Sequence, residues 1–277
     1  MLKVTKIRFP NAAVLAIAAV LGLATAPAKA AIIVYTNCAS TTYCTLQELV
    51  NGGTITVDED SDGKIDKTFN SWQLVGSPTG FPSSLTPPSA SNIKVSAFSS
   101  GPLNVGLDYE VLDDDFKINN NNIGTQFLGL EYSFKVIPSA ELQLIDSTYS
   151  FQDPTTDVYT NSGGGLTTYA SVVVNGNLTS LTDNSSVSDV ISQTSLGNVP
   201  TQTISPTTLS LTSEAGFLVD NNIGVTTNST SAFKASANLK KFRQEFRQTF
   251  AKTQVPEPGT IMGLLAFGGV CLVMKRK

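Results

Sequence analysis

FLGLEYSFKVIPSAELQLIDSTYSF, residues 127 to 151, holds two runs, Phe127 to Ile137 and Leu142 to Phe151, separated by a Pro-Ser break. In each, apolar and polar side chains alternate at the two-residue period of a half-buried strand. Seven further runs share that alternation or a β-branched enrichment: Ile32 to Tyr35, Thr54 to Val57, Thr68 to Val75, Asn92 to Phe98, Leu103 to Leu112, Thr168 to Val174 and Gly216 to Val225. Between them lie turn formers such as Asn51-Gly52-Gly53, Asn119 to Gly124, Asn161 to Gly165 and Asn175-Gly176-Asn177. Many short strands with such turns predict an all-β domain over residues 31–230, an antiparallel β-sandwich or jelly roll.

Two stretches depart from this pattern. Residues 77–91, SPTGFPSSLTPPSAS, are too rich in Pro and Ser for regular structure and read as a long loop. From Ala232 to Lys252 the chain turns basic, and Leu239, Phe242, Phe246 and Phe250 recur at three and four residues, with Lys240, Lys241, Arg243 and Arg247 on other faces. That spacing predicts an amphipathic helix. The segment, residues 231–254, then reads either as an element packing its phenylalanines on the domain or as a basic stem lying on anionic headgroups or an acidic surface polymer.

Both ends carry delivery signals. Lys3, Lys6 and Arg8 precede a 12-residue apolar run, Ala12 to Leu23, and Ala28-Lys29-Ala30 offers a small-x-small cleavage site before Ala31. This is the pattern of a secretory signal peptide over residues 1–30; Ala24-Thr25-Ala26 offers a second cleavage site. At the other end Val255-Pro256-Glu257-Pro258 leads into an apolar stretch, Thr260 to Met274, and a terminal Lys275-Arg276-Lys277. The prolines fix φ and remove two backbone donors, which keeps the segment extended. As a transmembrane helix the apolar stretch would cover roughly 22 Å against about 30 Å of hydrocarbon, enough for a transient span. The basic end would stay cytoplasmic and the domain would lie across the membrane.

Residues 255–277 resemble the PEP-CTERM sorting tag of bacteria. The resemblance implies recognition and cleavage at or near the Pro-Glu-Pro by an exosortase, a membrane-embedded cysteine transpeptidase, in bacteria that make extracellular polysaccharide. It covers the ends of the chain and leaves the roughly 200 central residues without a family.

Seven of the 18 basic residues lie in the two terminal signals, so residues 31–254 keep 11 Lys+Arg against 21 Asp+Glu, a net charge near −10. Such a surface repels nucleic acid and suits divalent cations. Cys38 and Cys44 bracket a five-residue loop and, in an oxidising compartment, would close a small disulfide; Cys271 lies in the tag.

The sharpest site candidate is Asp58-Glu59-Asp60-Ser61-Asp62-Gly63-Lys64-Ile65-Asp66. Asp at loop positions 1, 3, 5 and 9 with Gly at 6 matches the start of an EF-hand-like calcium loop, with Asp58, Asp60, Asp62 and Asp66 as the ligands. It departs from that loop at position 12, where Phe69 replaces the bidentate Glu, and it resembles the short calcium loops of extracellular modules more closely. Asp113-Asp114-Asp115 could add oxygens at a sheet edge.

The chain has no His, which removes Ser-His-Asp and Cys-His systems and the common zinc sites. A carboxylate pair drawn from Glu110, Glu131 and Glu141 is the one hydrolytic route left. The sequence therefore predicts a non-catalytic protein of the cell surface or extracellular matrix, needing no cofactor, handled by signal peptidase and exosortase during export. A calcium-assisted carbohydrate-binding module is the alternative, with Trp72, Tyr109, Tyr132, Tyr149 and Tyr159 as candidate stacking platforms.

Overall fold

The computed structural model describes residues 30–101, 103–152, 159–160, 168–196, 199–230 and 234–251. Most of the signal peptide, including Ala28, and the sorting tail with Val255, Pro256, Glu257 and Pro258 lie outside the described residues. In chain order the strands are β1 (Ile32–Thr36), β2 (Cys44–Thr45), β3 (Thr54–Asp58), β4 (Lys67–Leu74), β5 (Thr79–Phe81), β6 (Ile93–Gly101), β7 (Asn104–Val111), β8 (Lys117–Asn120) and β9 (Gly124–Pro138). They continue as β10 (Leu142–Phe151), β11 (Tyr159–Thr160), β12 (Tyr169–Ser180), β13 (Ser186–Leu196), β14 (Val199–Ile204), β15 (Thr207–Ser213), β16 (Phe217–Ser229), β17 (Ala235–Asn238) and β18 (Lys241–Phe250). A five-residue helix, α1 (Leu46–Val50), follows β2.

The pairings are antiparallel and build two main sheets. The larger runs β1-β3-β4-β9-β16-β12-β13-β14, with β5 also on β9, and the second runs β15-β10-β18-β7-β6-β2. A small third sheet joins β11, β17 and β8. In β9 the alternation read from the sequence sets Leu128, Leu130, Tyr132, Phe134 and Val136 inside and leaves Glu131 exposed. The sheets meet face to face: the ring of Phe246 on β18 lies 5.7 Å from Phe69 on β4 and 6.2 Å from Phe134 on β9. The architecture is therefore a sandwich.

A polar bridge crosses this core. Asn221 on β16 accepts from the Tyr149 hydroxyl at 2.8 Å, and its Nδ2 donates to Tyr132 at 3.0 Å and to Gln244 Oε1 at 3.1 Å. Gln244 Nε2 in turn donates to Ser147 at 3.2 Å and to the Tyr149 hydroxyl. All five side chains are buried, so each hydrogen bond replaces hydration that the core cannot supply.

The helix expected from Ala232 to Lys252 is not what forms over its described part. Residues 235–238 are β17, and β18 is the strand between β10 and β7 near the middle of its sheet. The misreading has a physical cause: Phe242, Phe246 and Phe250 are spaced by four, which fits one strand face as well as one helix face. Between them Gln244 and Gln248 also point inward and are buried, so the two-residue period is disguised by glutamines. The basic side chains are committed to the sheet. Arg243 makes two bonds to Asp108, at 2.7 and 2.9 Å, and sits over the Phe98 ring, while Arg247 holds Asp146 at 2.9 Å through Nε. The domain thus extends beyond residue 230 to the end of β18, and the described residues before 251 form no separate stem. No helix among the described residues is long and apolar enough to cross a membrane.

Candidate functional site

β3 and β4 pair as a hairpin, and the acidic run closes it: the Asp66 amide donates to Val57 O at 2.8 Å. The loop is wound on its own carboxylates. Asp58 accepts from the amides of Asp62 at 3.2 Å and Gly63 at 2.9 Å, Asp60 from Asp62 at 3.0 Å, and Asp66 from Glu59 at 2.7 Å. Ser61 and Gly63 take positive φ values, 56° and 90°, to turn the backbone inward, a conformation that glycine reaches without strain.

One carboxylate oxygen from each of Asp58, Asp60 and Asp66 lies within 4.8 Å of the others. Oxygens that share a calcium ion at 2.3–2.6 Å lie no more than about 5 Å apart, so the spacing fits a calcium ion. Asp62, the fourth residue expected, is not part of the group; it accepts from the Lys64 amide at 2.7 Å and pairs with Lys64 Nζ at 3.5 Å. Phe69, at position 12, is fully buried in the core and offers no ligand. Burial first, and then the charges of Asp60, Asp58 and Asp62, push the Asp66 carboxyl above its ordinary value, against the Glu59 amide that favours the ion.

Beneath the loop lies a buried polar cluster that the sequence reading did not single out. Glu59 turns into the core, where its Oε2 accepts from Gln248 Nε2, and Lys67, wholly buried, donates to Phe246 O at 3.3 Å. Burial pushes the Lys67 amine down to about 8 against the pull of Glu59 and Asp66, and burial raises Glu59 against the pull of Lys67. A Lys beginning a strand whose next inward residues are aromatic was the signal available for it.

The other candidates separate. Asp114 pairs with Lys117 at 2.8 Å and Asp115 accepts from the Ser89 amide at 2.7 Å, so that triplet fastens a turn and does not join the group at 58–66. Glu110 on β7 and Glu131 on β9 are exposed on opposite sheets, and Glu141 lies in the β9–β10 turn, so the structure brings no two of them together. Trp72, Tyr109, Tyr132 and Tyr149 are core residues, with Trp72 stacked on Phe134 at 4.1 Å and Tyr109 on Phe242 at 4.4 Å. None can serve as a stacking platform, and the Tyr159 side chain lies outside the description. Cys38 and Cys44 are disulfide-bonded ahead of α1. That helix opens with a capping box in which the Thr45 hydroxyl takes the Glu48 amide and Glu48 takes the Thr45 amide, a T-x-x-E signal that the sequence reading passed over.

The first and last of the described residues both lie by the acidic loop. Ala30 O, at the expected signal cleavage site before Ala31, accepts from the Ser61 hydroxyl. Asp60, Asp62, Lys64, Glu141, Leu142 and Phe250 line a cleft of about 280 Å³ where β18 ends, and the Ala251 amide donates to Glu141 O at 2.8 Å. Residues 254–277, which continue from there, match the PEP-CTERM protein-sorting motif. The motif implies export, membrane-associated sorting in the cell envelope and processing by an exosortase. No curated protein matches the chain.

Proposed function

We propose that the protein is a non-catalytic structural or adhesive component of the cell surface or its polysaccharide matrix, delivered there by exosortase processing of the C-terminal tag. The observation that carries this reading is the position of the last strand. β18 leads toward the sorting tail and is paired with β10 over residues 242–250 on one side and with β7 over residues 241–247 on the other. A pull on the C-terminal end of the domain is therefore met by β10 at the last residues and by two ladders from Arg247 inward, whereas an edge strand would peel from one throughout. A domain held to an envelope and loaded from outside needs that connection.

The test is made in cells. With Glu257→Ala and Pro258→Ala the chain should fold, fail to reach the surface and keep its tail; unchanged delivery together with an unchanged mature C-terminus would end the reading. Loss of the whole chain should weaken cohesion of the surface matrix, and equal cohesion with and without it would count against a structural role.

The convergence of Asp58, Asp60 and Asp66 supports a second element of the reading, a calcium ion bound by the β3–β4 loop at the end of the domain nearest the tail.

A further inference from the structure

The outer face of the larger sheet carries polar side chains that neither the core nor the tail uses. Register sets Glu131 on β9 opposite Asn222 on β16, Asn222 opposite Asn175 on β12, and Asn175 opposite Val190 on β13. Two residues along, Asp220, Asn177 and Ser188 form a parallel row. With strands about 4.8 Å apart and outward positions about 7 Å apart, the two rows tile roughly 7 by 14 Å. They border a groove of about 480 Å³, within the size range of ligand clefts.

The side chains of Glu131, Asn175 and Asn222 are exposed and make no hydrogen bond to the described residues, and that of Asn177 has only a long contact, 3.4 Å, to Asp220. In the next row on the other side, Gly129 and Gly224 face each other, and the ring of Phe127 lies against them. A Cβ on Gly129 would stand 2.4 Å from the ring and one on Gly224 3.2 Å from it, so these glycines make the space that the ring occupies. An apolar ring beside a row of uncommitted planar amides and a carboxylate matches a sugar: the amides donate and accept toward neighbouring hydroxyls, and the ring covers a C–H face.

Charge selects among sugars. The ionisable groups lining the groove are Glu131, Asp189 and Asp220, with no Lys or Arg, so a uronic or sulfated polymer is repelled. These carboxylates do not converge as those of the β3–β4 loop do, so the groove needs no metal. The geometry points to a binding groove for an uncharged polysaccharide across β9, β16, β12 and β13, with Glu131, Asn175, Asn177 and Asn222 holding ring hydroxyls and Phe127 packing on a sugar face. The inference rests on the adhesive reading above and names its ligand.

Full chain in detergent, run through gels containing neutral glucan, mannan or galactan, tests it. At least one neutral polymer should retard the protein, polygalacturonate and an oligolysine peptide should not, and a chelator should change nothing. Asn175→Ala with Asn222→Ala, both exposed, should weaken retention about tenfold without lowering the melting temperature. Retention by none of the neutral polymers, equal retention of the double variant, or preference for polygalacturonate or the peptide overturns the groove. The same variant should still reach the cell surface; normal delivery of the unsubstituted chain alongside its retention by none of the neutral polymers would sink the groove and leave the sorting reading standing, while failure of the Glu257 and Pro258 test would do the reverse.

Discussion

Asn221 is the residue on which the two sheets agree. From β16 it meets Tyr132, Tyr149 and Gln244, so its removal takes a hydrogen-bond partner from three buried polar groups at once, although Gln244 and Tyr149 keep the bond to each other. Asn221→Ala should therefore cost about 2–4 kcal/mol, well beyond its size, and appear as a lowered urea midpoint; a cost below about 1 kcal/mol would show that the bridge contributes little. The same cluster makes a pH prediction. Burial raises the hydroxyls of Tyr109, Tyr132 and Tyr149 above the ordinary tyrosine value of 10.0. Above that value the unfolded chain releases protons that the folded chain keeps, so the folded state binds more protons and stability falls as pH rises. The contribution is intact below pH 10 and is lost above it, at about 1.4 kcal/mol per pH unit for each tyrosine. The Tyr109 hydroxyl neighbours that of Tyr132 but makes no hydrogen bond of good geometry, so Tyr109→Phe should cost no more than about 1 kcal/mol at neutral pH and flatten the alkaline fall by about a third. Urea titrations from neutral to strongly alkaline pH measure both, and an unchanged alkaline slope in the variant would refute the assignment.

Among the elements, β18 divides what the sequence shows from what it hides. A chain ending at residue 230 lacks the strand that β10 and β7 both pair with, and it should fail to give a cooperative melt or resist protease, whereas one ending at residue 252 should do both. A folded, protease-resistant chain ending at 230 would restore the independent stem. The nine runs read from alternation correspond to β1, β3, β4, β6, β7, β9, β10, β12 and β16, which supply most of the buried apolar side chains. What was not legible is polar: β13, β14 and β15 are built largely from Ser, Thr and Gln, and Gln244 and Gln248 sit inside because the partner sheet supplies hydrogen bonds that no local pattern announces. Even the Pro/Ser-rich stretch at 77–91 contributes a short strand, β5, by borrowing the edge of β9. For the site, spacing alone brought out Asp58, Asp60 and Asp66, but that Asp62 would turn to Lys64 depended on the backbone conformation at Ser61 and Gly63. If the loop holds calcium with the millimolar to submillimolar affinity common in extracellular modules, about 10 mM calcium should stabilise the fold by about 1–3 kcal/mol. Asp60→Asn should remove most of that gain while Asp62→Asn should not. No heat in calorimetry and no melting shift at millimolar calcium would dispose of the site.

At the scale of the molecule, the order of elements decides which end faces the membrane during sorting. Residues 251–259 separate Phe250 from the apolar stretch that begins at Thr260, and even fully extended those ten steps reach only about 34 Å. While the apolar stretch is in the bilayer, the cleft formed by Phe250, Glu141 and the acidic loop is therefore the end of the domain tethered toward the headgroups. Asp113 follows β7, whose Glu110 pairs with Lys241 at the start of β18, roughly 30 Å from Phe250 at 3.4 Å per residue. A photo-crosslinker at Lys64 should then label lipid in cells whose exosortase is inactive, and one at Asp113 should not. Once the enzyme acts, the domain leaves its tether and labelling at Lys64 should disappear. Equal labelling at both positions would mean that the domain lies on its side against the membrane, and the groove on β9, β16, β12 and β13 would then have to be exposed by release. Labelling confined to Lys64 would mean that both outer faces of the sandwich stand free of the bilayer even before cleavage, so that the protein could engage the matrix while still attached.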